Sequence, residues 1–251
     1  MNEINKFFIP ENYVENISEE DSVKAVGVVD TVKSFSRMIY QSVYVVDYNK
    51  RNFLFVSDNP LFLCGLKPQE VQEKGFAFYY DHVADDEVKM LLEINRAGFE
   101  FFNNAPVNER LKLSISYDFN IKYEHGHILI NHKLSPVRLA GNGNIWLAAC
   151  IVSLATRKNA GNVEALLEGN DYYWTYSFEN GTWIKEKRKT LQEREKDILL
   201  LTVQGYTINQ IAAKMFITKD AVKYHRKNLF EKLGVSSISE ALWTVTEKKM
   251  I

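Results

Sequence analysis

Residues 191–249 read LQEREKDILLLTVQGYTINQIAAKMFITKDAVKYHRKNLFEKLGVSSISEALWTVTEKK. The stretch breaks into short amphipathic segments at Gly205, at Thr218-Lys219-Asp220 and at Gly234. The first starts near Thr190 or Gln192, with Glu193 and Glu195 in a first turn whose dipole favours acidic groups. Ile198, Leu199, Thr202 and Val203 repeat at three- and four-residue steps, the spacing of one helix face. Thr207 caps a second helix, and Gln210 three residues on completes a capping box. Ile211, Ala212 and Met215 form its buried side, and Ala212 and Ala213 are small enough for two helices to cross closely. A third helix opens after Thr218. Val222, Leu229 and Leu233 lie on one side of it, Lys223 and Lys227 lie roughly 100–140° around from Val222, and Lys219 and Arg226 flank the apolar stripe. A fourth helix turns Ile238, Ala241, Leu242 and Val245 inward.

A third helix that is apolar inside and basic outside, held against two others, has the geometry that enters a DNA major groove. One face docks on its own domain, and the other meets phosphates and base edges. Charge agrees. Residues 185–251 hold fourteen Lys and Arg against eight Asp and Glu, net +6, and the rest of the chain holds 17 against 24, net −7, beneath an overall −1. Such asymmetry points to nucleic-acid contact at one end. A solvated helical cap with a lysine-rich face would share the charge, but not the capping, the small residues and the basic-face register together.

The tail resembles the LuxR-type (GerE-like) DNA-binding domain of bacterial transcription regulators. That family's pattern, roughly L-T-x-R-E-x-E-V-L, G-x-S-x-x-E-I-A and I-S-x-x-T-V-K-x-H-x-x-N-I-x-x-K-L-G-V, is met by 191–199, 205–212 and 217–235. Gln192 and Gln210 stand where the family has Thr and Glu, and Ala221 replaces a Thr and removes a hydroxyl beside the groove. The resemblance implies double-stranded DNA as partner, with Lys223, Tyr224 and Lys227 facing base edges. Thr218, Lys219, Arg226, Asn228 and Lys232 are expected on the phosphates. Trp243 falls roughly 150° from the centre of the fourth helix's inward stripe. A large outward aromatic beside apolar neighbours can mark an interface. A homodimer joined there would set two recognition helices about 34 Å apart on a palindromic site. The competing expectation is that Trp243 packs on its own domain or on the aromatic hairpin described below.

The 251 residues, 46% hydrophobic and 25% charged, have room for two modest domains or one large one. No apolar run approaches the roughly 18 residues of a membrane span. The start, MNEINKFFIPENYVEN, lacks the basic region of a signal peptide. Cys64 and Cys150 are too few for a disulfide framework and read as reduced thiols of a cytoplasmic protein without membrane contact.

Residues 1–40 read as a helical extension in which Ala25, Val28, Val32, Phe35 and Ile39 share a stripe, suited to packing on the body more than to a dimer seam. The period then changes. Val43–Asp47 and Phe53–Val56 read as strands around Asn49-Lys50. Short helices open at Pro60 and Pro68, and a longer one fits 86–102 through Val88, Leu91, Leu92 and Ile94. Three strands follow. Leu111, Leu113, Ile115 and Tyr117 alternate. Ile128, Ile130 and Leu134 share one side, with His132 interrupting. Ile145–Leu154 is nearly all apolar, as a central strand would be. The order over 41–156 resembles a PAS domain, a small sensory fold with a five-stranded sheet and helices over one face. Asn59-Pro60-Leu61-Phe62 echoes its "N-P-A-F", and His82-Val83-Ala84-Asp85-Asp86 echoes "H-P-D-D" without the proline. That resemblance implies a pocket, or a plugged core, lined by residues such as Phe62, Leu91 and Ile130, with a small-molecule ligand as one occupant. Residues 157–189 read as a linker with an aromatic hairpin, 172–178 and 182–184 around Asn180-Gly181, whose role is packing before ligand contact. The class is α+β: a PAS-like antiparallel sheet with helices, then an all-α four-helix domain over 190–251.

Catalytic and cofactor constellations do not assemble. His125-x-His127 lacks a third metal ligand. Cys64 sits in Leu-Cys-Gly, not the Asn-Cys-Arg of photoreactive flavin-binding PAS domains, and neither His82 nor His132 has a haem-site context. Asp85-Asp86-Glu87 lacks the alternating strand–helix order of a phosphate-receiving domain. No phosphate-binding glycine loop or nucleophile elbow is present. No cofactor, no metal and no enzyme activity are therefore expected. Two functions of different class remain: a sequence-specific DNA-binding regulator whose body senses a signal or dimerises, and an interaction module whose tail engages a protein.

Overall fold

The first strand of the body, β1 (Ser42–Asp47), is buried along its whole length, although it lies early in the chain and forms a hairpin with its neighbour β2 (Asn52–Val56). Its second edge is covered by a strand from a hundred residues later, β5 (Ile145–Leu154), in an antiparallel ladder from Ser42↔Val152 to Asp47↔Leu147. In the computed structural model, which describes residues 6–14, 17–123, 126–248 and 250–251, the chain separates into two units, 1–186 and 187–251. The first five residues and the expected turn at His125 lie outside the described residues.

Between β2 and the next strand the chain is helical. After α1 (Glu19–Ser36), the chain forms α2 (Pro60–Leu63), α3 (Pro68–Lys74), α4 (Ala77–His82), α5 (Asp85–Asn104) and α6 (Val107–Arg110). Asn59 caps α2 through its side chain, which accepts from Leu61 N, and the carboxylate of Glu70 accepts from Lys67 N to close the start of α3. Val88, Leu91, Ile94, Phe99 and Phe102 are the buried stripe of α5. Of the apolar stripe on α1, Ala25, Val28 and Val32 pack on the body, whereas Phe35 is exposed.

The sheet continues through β3 (Leu113–Tyr123), β4 (Gly126–Leu139) and β5, but does not stop there. Residues 161–187 add β6 (Gly161–Leu167), β7 (Tyr172–Ser177) and β8 (Thr182–Lys187). The described residues make one eight-stranded antiparallel sheet in the order β2-β1-β5-β4-β3-β6-β7-β8. The five strands expected from the sequence occupy one side of it. The segment 157–189, expected as a linker with an aromatic hairpin, supplies the other side: the hairpin strands are β7 and β8, and β6 was not expected. The long β3 would otherwise leave an unpaired edge, and β6 satisfies it from Leu113↔Leu167 to Asp118↔Gly161. What hid β6 is its composition, GNVEALL, with a charged Glu164 in the middle. That carboxylate is buried and ion-paired to Arg157 at 2.5 Å.

Phe62, Leu91 and Ile130, expected around a pocket, are all buried in the main core. Rings fill that region. Tyr44 stacks on Phe62 at 4.5 Å, and Phe78 lies 4.8 Å from Phe62. His132, which interrupts the apolar pattern of β4, is enclosed here too. Its Nε2 lies 2.5 Å from the Tyr44 hydroxyl, which lies 2.6 Å from that of Tyr79. Nδ1 of His132 is buried with no hydrogen-bond partner among the described residues. Burial depresses this imidazole from its ordinary 6.5 to about 3, so it is neutral at physiological pH. No helix among the described residues is long and apolar enough to cross a membrane, and no metal-binding cluster of His, Cys, Asp and Glu occurs among them.

Candidate nucleic-acid interface

The second unit comprises α7 (Glu193–Val203), α8 (Ile208–Met215), α9 (Lys219–Leu233) and α10 (Ile238–Glu247). Three of its four helix starts use a hydroxyl. Thr207 accepts from Gln210 N, Thr218 from Ala221 N and Ser237 from Glu240 N. At α7, Gln192 supplies no side-chain cap, and the N3 residue Glu195 accepts from Gln192 N at 2.8 Å instead. Gln210 reaches back to Thr207 N at 2.9 Å, the capping box expected at α8.

Two small cores hold the helices. Ile198, Ile211, Ala212 and Val222 form one, and Leu191, Leu199, Leu229, Ala241 and Val245 form the other. The single α7 face expected from the sequence is therefore divided. Ile198 faces α8 and the start of α9, Leu199 faces the rest of α9 and α10, and Val203 at the helix end is exposed. Ala213, expected at the helix crossing, is also exposed, and Ala212 alone takes that position.

With Val222 and Leu229 buried, the opposite side of α9 is open to solvent. Lys223 is 62% exposed in its side chain, Tyr224 is 62% exposed as a residue and Lys227 is 74% exposed in its side chain. Lys219, Lys223 and Lys227 follow one another at four-residue steps and so form one ridge, with Tyr224 beside it. Thr218, at the start of the ridge, is exposed.

The ridge also carries acids that the sequence reading passed over. Asp220 lies 3.3 Å from Lys223, and Glu231 lies 3.6 Å from Lys227. Both pairs are exposed, so each contributes little to stability, and a phosphate can displace the carboxylate. Their i,i+3 and i,i+4 spacing was visible in the sequence. Arg226 is half-buried with its guanidinium 5.4 Å from the Phe230 ring, and Asn228 is half-buried.

Lys232 differs from expectation. Its ammonium lies 2.6 Å from the buried Glu195 carboxylate and donates to Thr190 O at 3.3 Å, which ties the end of α9 to the start of α7. A lysine spent on a buried acid is not held out for a phosphate. The spacing of the family pattern could not reveal this, because the partner lies 37 residues away. Trp243, expected on an open face of α10, is half-buried. Phe216 was not singled out, yet it is 95% exposed in the turn between α8 and α9. It adopts a left-handed φ of 54° at the α8 C-cap.

Residues 189–245 match the model of the family described as bacterial regulatory proteins, luxR family. Among individual proteins, the probable transcriptional regulatory protein SgaR of Hyphomicrobium methylovorum is 44% identical over 54 residues, 22% of this chain and 26% of SgaR. The chain thus spans about a quarter of that relative. The solved structure of the transcription factor GerE is 32% identical over 25% of this chain and 94% of GerE, with a TM-score of 0.24. The phage VqmA–DPO complex aligns over 91% of both chains at 14% identity with a TM-score of 0.35.

Proposed function

With residues 189–245 a domain of the luxR family of bacterial regulatory proteins, we propose that this chain is a sequence-specific DNA-binding transcription regulator whose first unit receives a signal or joins two copies. The observation that supports the reading best is the exposed ridge of Lys219, Lys223 and Lys227 beside Tyr224, on a helix whose other side is buried in two cores. An α-helix so presented fits the major groove. Its lysines neutralise phosphates or reach guanine acceptors, and its tyrosine offers a hydroxyl and a ring to base edges. Lys223, Tyr224 and Lys227 read bases in this proposal. Thr218, Lys219, Arg226 and Asn228 position the backbone. The first unit contributes a PAS-like sheet whose ring-filled interior is the place for a small molecule if its rings part.

The test is equilibrium binding of the full chain to a duplex selected from a random library, followed by fluorescence anisotropy between 50 and 300 mM salt, a range set on the order of that used for phosphate-contacting proteins. A steep, linear fall of log affinity with log salt is expected, together with a preferred sequence. Binding that ignores salt, or no selected sequence, would favour the tail as a protein-binding module and end the proposal.

A further inference from the structure

The first unit contains a cleft of about 550 Å³ between the C-terminal half of α5 and the β7–β8 pair. Four aromatic rings line it: Phe101 from α5, Trp174 and Tyr176 from β7, and Trp183 from β8. They stand at angles to one another as the walls of a box. Phe101 and Trp174 centroids are 5.2 Å apart at 67°, Phe101 and Trp183 are 4.8 Å apart at 46°, and Tyr176 and Trp183 are 5.2 Å apart at 60°. The polar ends of two of these rings are already used. The Trp183 indole N–H donates to Ala97 O at 3.2 Å, and the Tyr176 hydroxyl donates to Glu93 at 3.0 Å. These rings therefore offer a guest their π surfaces and not a donor.

The lining includes two carboxylates, Glu100 and Glu109, beside the neutral polar Asn104, Asn170 and Thr182, and no Lys or Arg belongs to it. Glu100 is shared with Arg96 at 3.0 Å on the exposed side of α5. Glu109, on α6, is half-buried and takes part in no ion pair among the described residues. Inclined aromatic walls attract a cation through the ring quadrupoles, and a nearby unpaired carboxylate adds to the same preference. The Lys185 ammonium lies outside the lining, 4.3 Å from the Tyr172 centroid and 5.7 Å from that of Trp174. The volume suits a small molecule.

We infer that this cleft is a binding site for a small organic cation, a quaternary or alkylated ammonium whose charge sits among Phe101, Trp174 and Trp183 with Glu109 as its counter-ion. The site lies outside the ring-filled interior around Phe62 and His132, and its existence does not depend on the DNA-binding reading. Because α5 and α6 supply one wall and β7 and β8 the other, an occupant would pin the added strands to the helix.

The probe is choline, with its neutral carbon isostere 3,3-dimethylbutan-1-ol as the comparison, titrated into the full chain by calorimetry and by quenching of tryptophan fluorescence. Saturable choline binding is expected, at least tenfold tighter than the isostere. Glu109→Gln, at a half-buried carboxylate with no ion pair, should keep the fold and weaken choline about tenfold, while Trp174→Leu should remove binding with the circular dichroism unchanged. Equal binding of choline and the isostere, absence of saturation by choline, or wild-type affinity in both variants would each overturn the inference.

Discussion

Lys223 and Lys232 sit nine positions apart on one helix and have different work. Lys223 is exposed and loosely held by Asp220, whereas Lys232 completes a nearly buried pair with Glu195. Lys223→Ala is expected to relax sequence preference at a cost of about 1–3 kcal/mol on the preferred duplex. Lys219→Ala is expected to weaken all duplexes alike and to lower the salt slope by about one. Lys232→Ala leaves Glu195 buried and uncompensated, so it should destabilise the second unit by about 2–3 kcal/mol, somewhat less than for a fully enclosed pair. Urea denaturation followed separately for each unit checks this, and a DNA defect without lost stability would return Lys232 to the phosphates. The lysines were legible in the sequence as a basic face. Which of them was already occupied was not, because ion pairing across the fold has no local signature.

His132 is a second residue whose neighbourhood decides its chemistry. Its pKa falls from 6.5 to about 3 on burial, so between those values the unfolded chain binds the extra proton. Its contribution is thus complete above about pH 6.5 and is lost as the pH falls toward 3. At about 1.4 kcal/mol per pH unit, the loss reaches up to roughly 5 kcal/mol. A His132→Gln chain should show a flatter acid limb in a plot of urea midpoint against pH, even if it is less stable at pH 7. An unchanged acid limb would mean that the imidazole is not what titrates.

At the scale of elements, the divided face of α7 has a direct consequence. Ile198 and Leu199 are adjacent and both fully buried, yet they hold different partners. Each truncation to Ala should cost about 2–5 kcal/mol. Ile198→Ala should raise amide exchange in α8, and Leu199→Ala should raise it in α10. If both substitutions loosen the same helix, the two cores act as one. The existence of these helices was readable because caps and period agree over 191–247. The division of the face was not, because 3.6-residue periodicity marks an apolar stripe and not how many neighbours share it. The same limit applied to β6, whose alternation is broken by a buried glutamate that is ion-paired to Arg157.

At the scale of the whole molecule, a +6 tail and a −7 remainder share one chain. Two copies on a palindromic site would place two basic tails on the phosphates, so dimerisation and salt sensitivity should appear together. Sedimentation of the wild type and Trp243→Ala, with and without a two-half-site duplex, measures this. Because Trp243 is half-buried, a mutant that dimerises with unchanged affinity would assign it to its own domain's packing. The α+β class followed from patterning alone. The extent of the sheet did not, since strand pairing at long separation is decided by tertiary partners.

β1 waits for β5. The ladder Ser42↔Val152 means that a ribosome must add about a hundred residues after the first hairpin before its inner edge is paired. During that time the edge of the nascent β1–β2 hairpin that later meets β5 has open backbone groups, a surface suited to self-association or to a chaperone. The last 65 residues close their cores among neighbours in sequence and have no such delay. Expression yield should therefore respond to translation speed through residues 57–145 and to chaperone supply, and hardly at all to changes within the C-terminal unit.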